Sequence, residues 1–123
     1  MADEQIPEDV REFILRYINS IAQLEALLLL WREPEMAWDV ADLAKRLYIS
    51  EEETGEVLAQ LSADGLINPS EGAYRFDRAD WQQVVARLDE TYSKQLIPVT
   101  NIIHSKPRRI REFADAFKLR KGR

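Results

Sequence analysis

The sequence predicts a mainly α-helical fold with one small β-hairpin, and three observations carry that prediction. Apolar residues recur at the i, i+3, i+4, i+7 spacing of amphipathic helices through most of the chain. Two short segments of this kind, each opened by a capping signal, are separated by only Tyr48 and Ile49, which is helix-turn-helix spacing. The stretch after them, Leu66 to Phe76, combines strand formers with a dense run of turn residues.

Taken in order, Ile6-Pro7-Glu8-Asp9 reads as a helix start, and Val10, Phe13, Ile14, Tyr17 and Ile18 continue an N-terminal helix over 7–19. Ser20 with Gln23 is a capping-box pattern opening a second helix, in which Ile21, Leu24, Leu27, Leu28, Leu30 and Trp31 surround most of the circumference before Pro34. This helix is expected to be the most buried element. Asp39 with Asp42 caps a short helix carrying Val40, Leu43, Ala44 and Leu47, and Ser50 with Glu53 caps the next, carrying Thr54, Val57, Leu58 and Leu61 up to the stop at Gly65. Leu66-Ile67 and Tyr74-Arg75-Phe76 are the expected strands, with Asn68 to Gly72 as the turn. Asp80 with Gln83 is expected to cap a long helix with the apolar stripe Trp81, Val84, Val85, Leu88, Tyr92, Leu96, Val99 and Ile103, kinked or restarted near Pro98. A last helix from about Pro107 to Leu119 places Ile110, Phe113, Ala114 and Phe117 on one face. The expected core joins Leu24, Leu28, Leu43, Leu47, Val57, Leu58, Leu61, Leu66 and Phe76 in a single domain, 1–123, whose central unit is 20–77 and whose C-terminal helices occupy 80–123.

Residues 20–77 resemble a bacterial winged-helix domain of the kind found in MarR-type and related transcription regulators. The resemblance rests on Leu24-Glu25-Ala26-Leu27-Leu28-Leu29-Leu30, on Trp38 to Leu47, and on Leu58-Ala59-Gln60-Leu61-Ser62-Ala63-Asp64-Gly65-Leu66-Ile67, the last being similar to the run that ends a recognition helix and enters the wing. It covers about half the chain and is specific for the fold more than for one family, because winged helices serve DNA-binding, RNA-binding and protein-binding roles. It implies a flanking-helix homodimer, for which Trp81, Val85, Leu88, Tyr92, Leu96 and Val99 are the interface candidates.

Composition narrows the chemistry. The chain of 123 residues has no Cys, which removes disulfides, thiolate metal sites and thiol nucleophiles together. The acidic start MADEQIPEDV lacks the features of a secretory signal, and no apolar run reaches membrane-span length, so a cytoplasmic protein without a membrane partner is expected. His104 is the only histidine and completes no Ser/His/Asp set, the paired acids are explained by capping, and the 4 Gly form no phosphate loop. No cofactor, metal or enzymatic activity is expected.

Charge is divided along the chain. Residues 1–93 hold 8 Lys/Arg against 20 Asp/Glu, and residues 94–123 hold 9 against 2, within an overall net charge of −5. The outward positions of the second short helix, Glu51, Glu52, Glu53, Gly55, Glu56, Ala59, Gln60, Ala63 and Asp64, include no Lys or Arg, whereas duplex binding rests largely on neutralising phosphates. Part of this acidity simply complements the helix N-terminus. The cationic cluster is C-terminal, with Arg108, Arg109, Lys118, Arg120 and Lys121 as the candidate nucleic-acid contacts. The same segment reads equally as a packing helix, since Arg108 and Arg111 lie four residues before Glu112 and Asp115. Two functions therefore stand side by side. One is a regulator-like protein acting mainly through protein contacts, with non-specific nucleic-acid contact by the basic C-terminus. The other is a sequence-specific DNA-binding regulator that reads through the helix 51–64.

Overall fold

In the computed structural model, residues 6–105 are described. Helices α1 (Glu8–Tyr17), α2 (Ile21–Arg32), α3 (Val40–Leu47) and α4 (Glu51–Ala63) lead into strands β1 (Asn68–Ser70) and β2 (Ala73–Arg75), then a 3-10 turn (Ala79–Trp81) and α5 (Gln82–Lys94). A further helix, α6, covers 96–105 of the described residues.

The helix starts agree closely with the sequence signals. The Ser20 hydroxyl accepts from the Gln23 amide at 3.1 Å while the Gln23 side chain reaches back to accept from the Asn19 amide at 2.7 Å, so two free amides at the mouth of α2 are satisfied. Asp39 accepts from the Asp42 amide at 2.8 Å, and Ser50 from the Glu53 amide at 3.0 Å. At the end of α4, Gly65 adopts φ +77. That left-handed turn lets Gly65 N–H bond Ser62 O and Leu66 N–H bond Leu61 O, both at 3.0 Å, which closes the helix and drives Leu66 into the core beside it.

α2 is the centre of the molecule: Leu24, Ala26, Leu27, Leu28, Leu29 and Leu30 are all buried, and α3, α4 and α5 pack around it. A single hydrophobic cluster runs from Ile6 through Leu58, Leu61, Leu66 and Phe76 to Val99 and Ile103. Of the expected core, Leu47 departs, being only partly buried at the C-terminal end of α3.

Two expectations need correction. The hairpin is shifted: Leu66 and Ile67 are buried but lie outside the strands, and the pairs are Asn68 with Arg75, Pro69 with Tyr74 and Ser70 with Ala73. The turn narrows to Glu71-Gly72, both with positive φ, as a tight two-residue hairpin connection requires. Pro69 is tolerated in a strand because Tyr74 turns its own N–H and C=O away from it, to Trp38, at 2.8 and 2.9 Å. Trp38 thereby adds a third extended segment to the wing.

The long helix begins otherwise than expected, whereas its break falls near Pro98 as expected. Asp80 makes no capping bond; α5 instead grows out of the 3-10 turn, with Trp81 at its N-cap position. α5 ends at Lys94, four residues before Pro98, where the proline ring would clash with the Lys94 carbonyl. Gln95 takes the non-helical φ −130 and ψ 59, and α6 restarts directly after it, so that Pro98 falls in the first turn, where an amide hydrogen has no partner to lose.

Candidate functional site: the helix-turn-helix face

α3 and α4 pack on each other and on α2, and the connection between them is one tight turn. Its pivot is Tyr48, with φ 61 and ψ 41 and 92% exposure. A bulky side chain in the left-handed region costs of order 1–2 kcal/mol. The conformation closes α3: Tyr48 N–H and Ile49 N–H, the latter at 3.2 Å, both bond Ala44 O, while the ring itself lies in solvent. Sequence reading placed Tyr48 in the turn but carried no signal for its backbone conformation or its exposure.

α4 buries Thr54, Val57, Leu58 and Leu61 and turns outward Glu51, Glu52, Glu53, Glu56, Ala59, Gln60 and Ala63, with Gly55 and Asp64 at the margins. Among the described residues, none of the α4 carboxylates is in an ion pair. Gln60, the one amide that could reach a base edge, donates to the Asp64 carboxylate at 3.2 and 3.3 Å. Three nearby arginines are engaged as well, whereas Lys45 of α3 is exposed and in none of the ion pairs among the described residues. Arg78 donates to the Gly65 carbonyl and pairs with Asp80 at 3.0 Å, Arg46 lies 3.7 Å from Glu33 and 5.7 Å over the Trp38 ring, and Arg75 donates to Glu35 O at 3.4 Å. A groove of about 560 Å³ beside the wing is lined by small and polar residues such as Asn68, Ser70, Tyr74 and Asp77.

α1 packs on α5. Phe13, Tyr17 and Trp81 form a ring trio with centroids 5.2 to 5.6 Å apart, tilted or edge-on, and Arg87 donates to Asp9 at 2.9 Å. The hydrogen bond from Arg87 holds the Asp9 carboxyl below its ordinary range and pushes the guanidinium up. Tyr92 donates to Glu25 at 3.0 Å, and burial, together with that bond to a carboxylate, raises its phenol to about 12.

This arrangement consumes much of the expected dimer stripe. Val85, Leu88 and Val99 are fully buried inside the chain, Trp81 and Tyr92 are partly covered by α1 and α2, and of the six candidates only Leu96 is exposed, at 51%. Ile97 beside it is 64% exposed. Periodicity could not separate these roles because a stripe facing a neighbouring helix of the same chain has the same spacing as one facing another chain. Arg108, Arg109, Lys118, Arg120 and Lys121 lie outside the described residues, as does the expected helix from Pro107.

No group of three or more His, Cys, Asp or Glu among the described residues is placed to hold a metal ion, and His104 is an exposed residue of α6. Among those residues no single helix is long and apolar enough to cross a membrane; α1 and α2 pass such a test only as a pair bent by 116°. The described fold is mainly helical with one small antiparallel hairpin: α2, α3 and α4 form a three-helix unit and the β1–β2 hairpin follows it. The chain matches no protein-family profile, no curated protein and no solved structure.

Proposed function

We propose that this is a non-enzymatic, cytoplasmic, transcription-regulator-like winged-helix protein that works mainly through protein contacts made by its helix-turn-helix face. The observation that carries the reading is the surface of α4: Glu51, Glu52, Glu53 and Glu56 stand exposed where a DNA reader needs cations, and Gln60 is bonded to Asp64. A polyanion brought to this face meets like charge without counterion release. Tyr48 supports the same reading, since an exposed aromatic held at a turn is the type of side chain that anchors protein interfaces.

The experiment is a salt-titrated binding measurement on random-sequence duplex DNA. Any affinity should be weak and sequence-independent, carried by the basic C-terminal residues. If about four of them neutralise phosphates, log affinity falls against log salt with a slope near −3.6, at roughly 0.9 per phosphate. Changing Arg108, Arg109, Lys118, Arg120 and Lys121 together to Gln should abolish it. Tight, sequence-selective binding that survives this change and disappears in Gln60→Ala would overturn the proposal in favour of base reading by α4.

A further inference from the structure

We infer that the groove between α1 and the start of α5 is a binding site for a small organic cation of the alkylated ammonium class. The groove, of about 300 Å³, is walled by Phe13, Tyr17 and Trp81, with the exposed Glu12, Arg16 and Asp80 beside them. It shares no residue with α3, α4 or the hairpin, so it stands apart from the face proposed to meet protein partners.

The first observation is the arrangement of the rings. Phe13 and Tyr17 lie four residues apart on one face of α1, and Trp81 comes to them from the 3-10 turn before α5. Their planes are inclined by 52°, 63° and 77° to one another with centroids 5.2 to 5.6 Å apart, so the three rings stand as steep walls about a corner. Phe13 is buried and ties the corner to the core, whereas Tyr17 and Trp81 are only partly covered. The π faces carry partial negative charge and attract a cation within about 6 Å of a ring centroid. Packing already holds these rings in place, which lowers the ordering cost of binding.

The second observation is that the chain sets a cation of its own on one of these rings. The Arg16 guanidinium lies 5.9 Å from the Tyr17 centroid. Glu12 is four residues before Arg16, yet no ion pair joins them among the described residues. Arg16 thus marks the Tyr17 face as one that accepts a cation, and stands in for the ligand.

Charge sets the sign and the valence of that ligand. Asp9, Glu12 and Asp80 line the groove against Arg16 alone. Asp9 and Asp80 pair with Arg87 and Arg78, whereas Glu12 is exposed and in none of the ion pairs among the described residues, which leaves one carboxylate for one monovalent cation. An anion would meet an excess of acid. A divalent metal needs several oxygen ligands, and no group of three or more His, Cys, Asp or Glu among the described residues is placed to hold one. An ammonium carrying methyl groups uses the apolar rings and the single charge together.

The test is titration of the full-length chain with choline, followed by the ring-current shift of its methyl protons, against the uncharged alcohol that has carbon in place of its nitrogen. Choline should bind at least about tenfold tighter, the margin that two partly desolvated ring contacts supply. Arg16→Gln should raise choline affinity at least about threefold by clearing the Tyr17 face. Arg11→Gln, which removes the same charge outside the groove, should leave affinity unchanged. Glu12→Gln should lower it by about two- to fivefold. All three positions are exposed, so thermal melts should stay as in wild type. Equal affinity for choline and the alcohol, or equal affinity in Arg16→Gln and Arg11→Gln, would overturn the proposal. Retention on phosphatidylcholine vesicles without any response to free choline would overturn it as well, by moving the ligand from solution to a membrane surface.

Discussion

Leu28→Ala tests the placement of α2 at the centre of the fold. Leu28 is 1% exposed and lies among Leu24, Leu27 and Leu61 in the main hydrophobic cluster. Truncation to Ala removes three carbon groups, which at about 0.8 kcal/mol each gives roughly 2.4 kcal/mol of lost burial. A fully enclosed void would add up to about 2.5 kcal/mol more. Here the void opens toward a groove of about 220 Å³ lined by Leu28, Leu29, Arg32, Arg46, Leu47 and Tyr92, so it can relax or admit water. The expected loss is therefore about 3 kcal/mol, equivalent to a fall in Tm of about 12 °C at roughly 2.1 cal/mol/K of unfolding entropy per residue. Leu27→Ala, at a position with 0% exposure and no share in the groove, should cost at least as much. Urea melts with unchanged m-values would measure both. A Leu28→Ala loss below about 1 kcal/mol, or a Leu27→Ala loss smaller than that of Leu28→Ala, would show that the packing around α2 is misassigned.

Three further outcomes are expected. Gly65→Ala should destabilise by about 1–2 kcal/mol, because a Cβ is strained in the left-handed region; it would also lie 3.3 Å from the Arg78 guanidinium, and an unchanged Tm would refute a left-handed glycine as the terminator of α4. Asp9→Asn should flatten the acid limb of the stability profile: the lowered Asp9 carboxyl contributes above its ordinary value of 3.8 and loses that contribution as pH falls through the lowered one, so a wild-type and variant pair with identical acid limbs would argue against the Arg87 contact. Tyr92 works at the other end of the scale. Its phenol is held protonated up to about 12 instead of 10.0, so its contribution is intact below pH 10.0 and is lost as pH rises toward 12, and spectroscopic titration of Tyr92→Phe against wild type should show the late-titrating phenol missing.

Whatever depends on neighbours a few residues apart is legible in the chain order alone. The caps at Ser20, Asp39 and Ser50, the stop at Gly65, the two short helices around Tyr48-Ile49 and the acidity of the α4 surface were all legible, because a cap, a turn and a helical face are set within one or two turns of chain. Tertiary structure alone decided which surface each apolar face meets. Val85 and Leu88 are spent on the chain's own core, although their spacing reads equally as an interface stripe. The wing slid past Leu66-Ile67 because those residues gain more by burial than by pairing, and it recruited Trp38, 36 positions from its partner Tyr74, through a bridge that no local pattern announces. The charged positions of α4 could be named in advance. That Arg46, Arg75 and Arg78 are engaged by Glu33, Glu35 and Gly65 became visible only once distant segments were brought together.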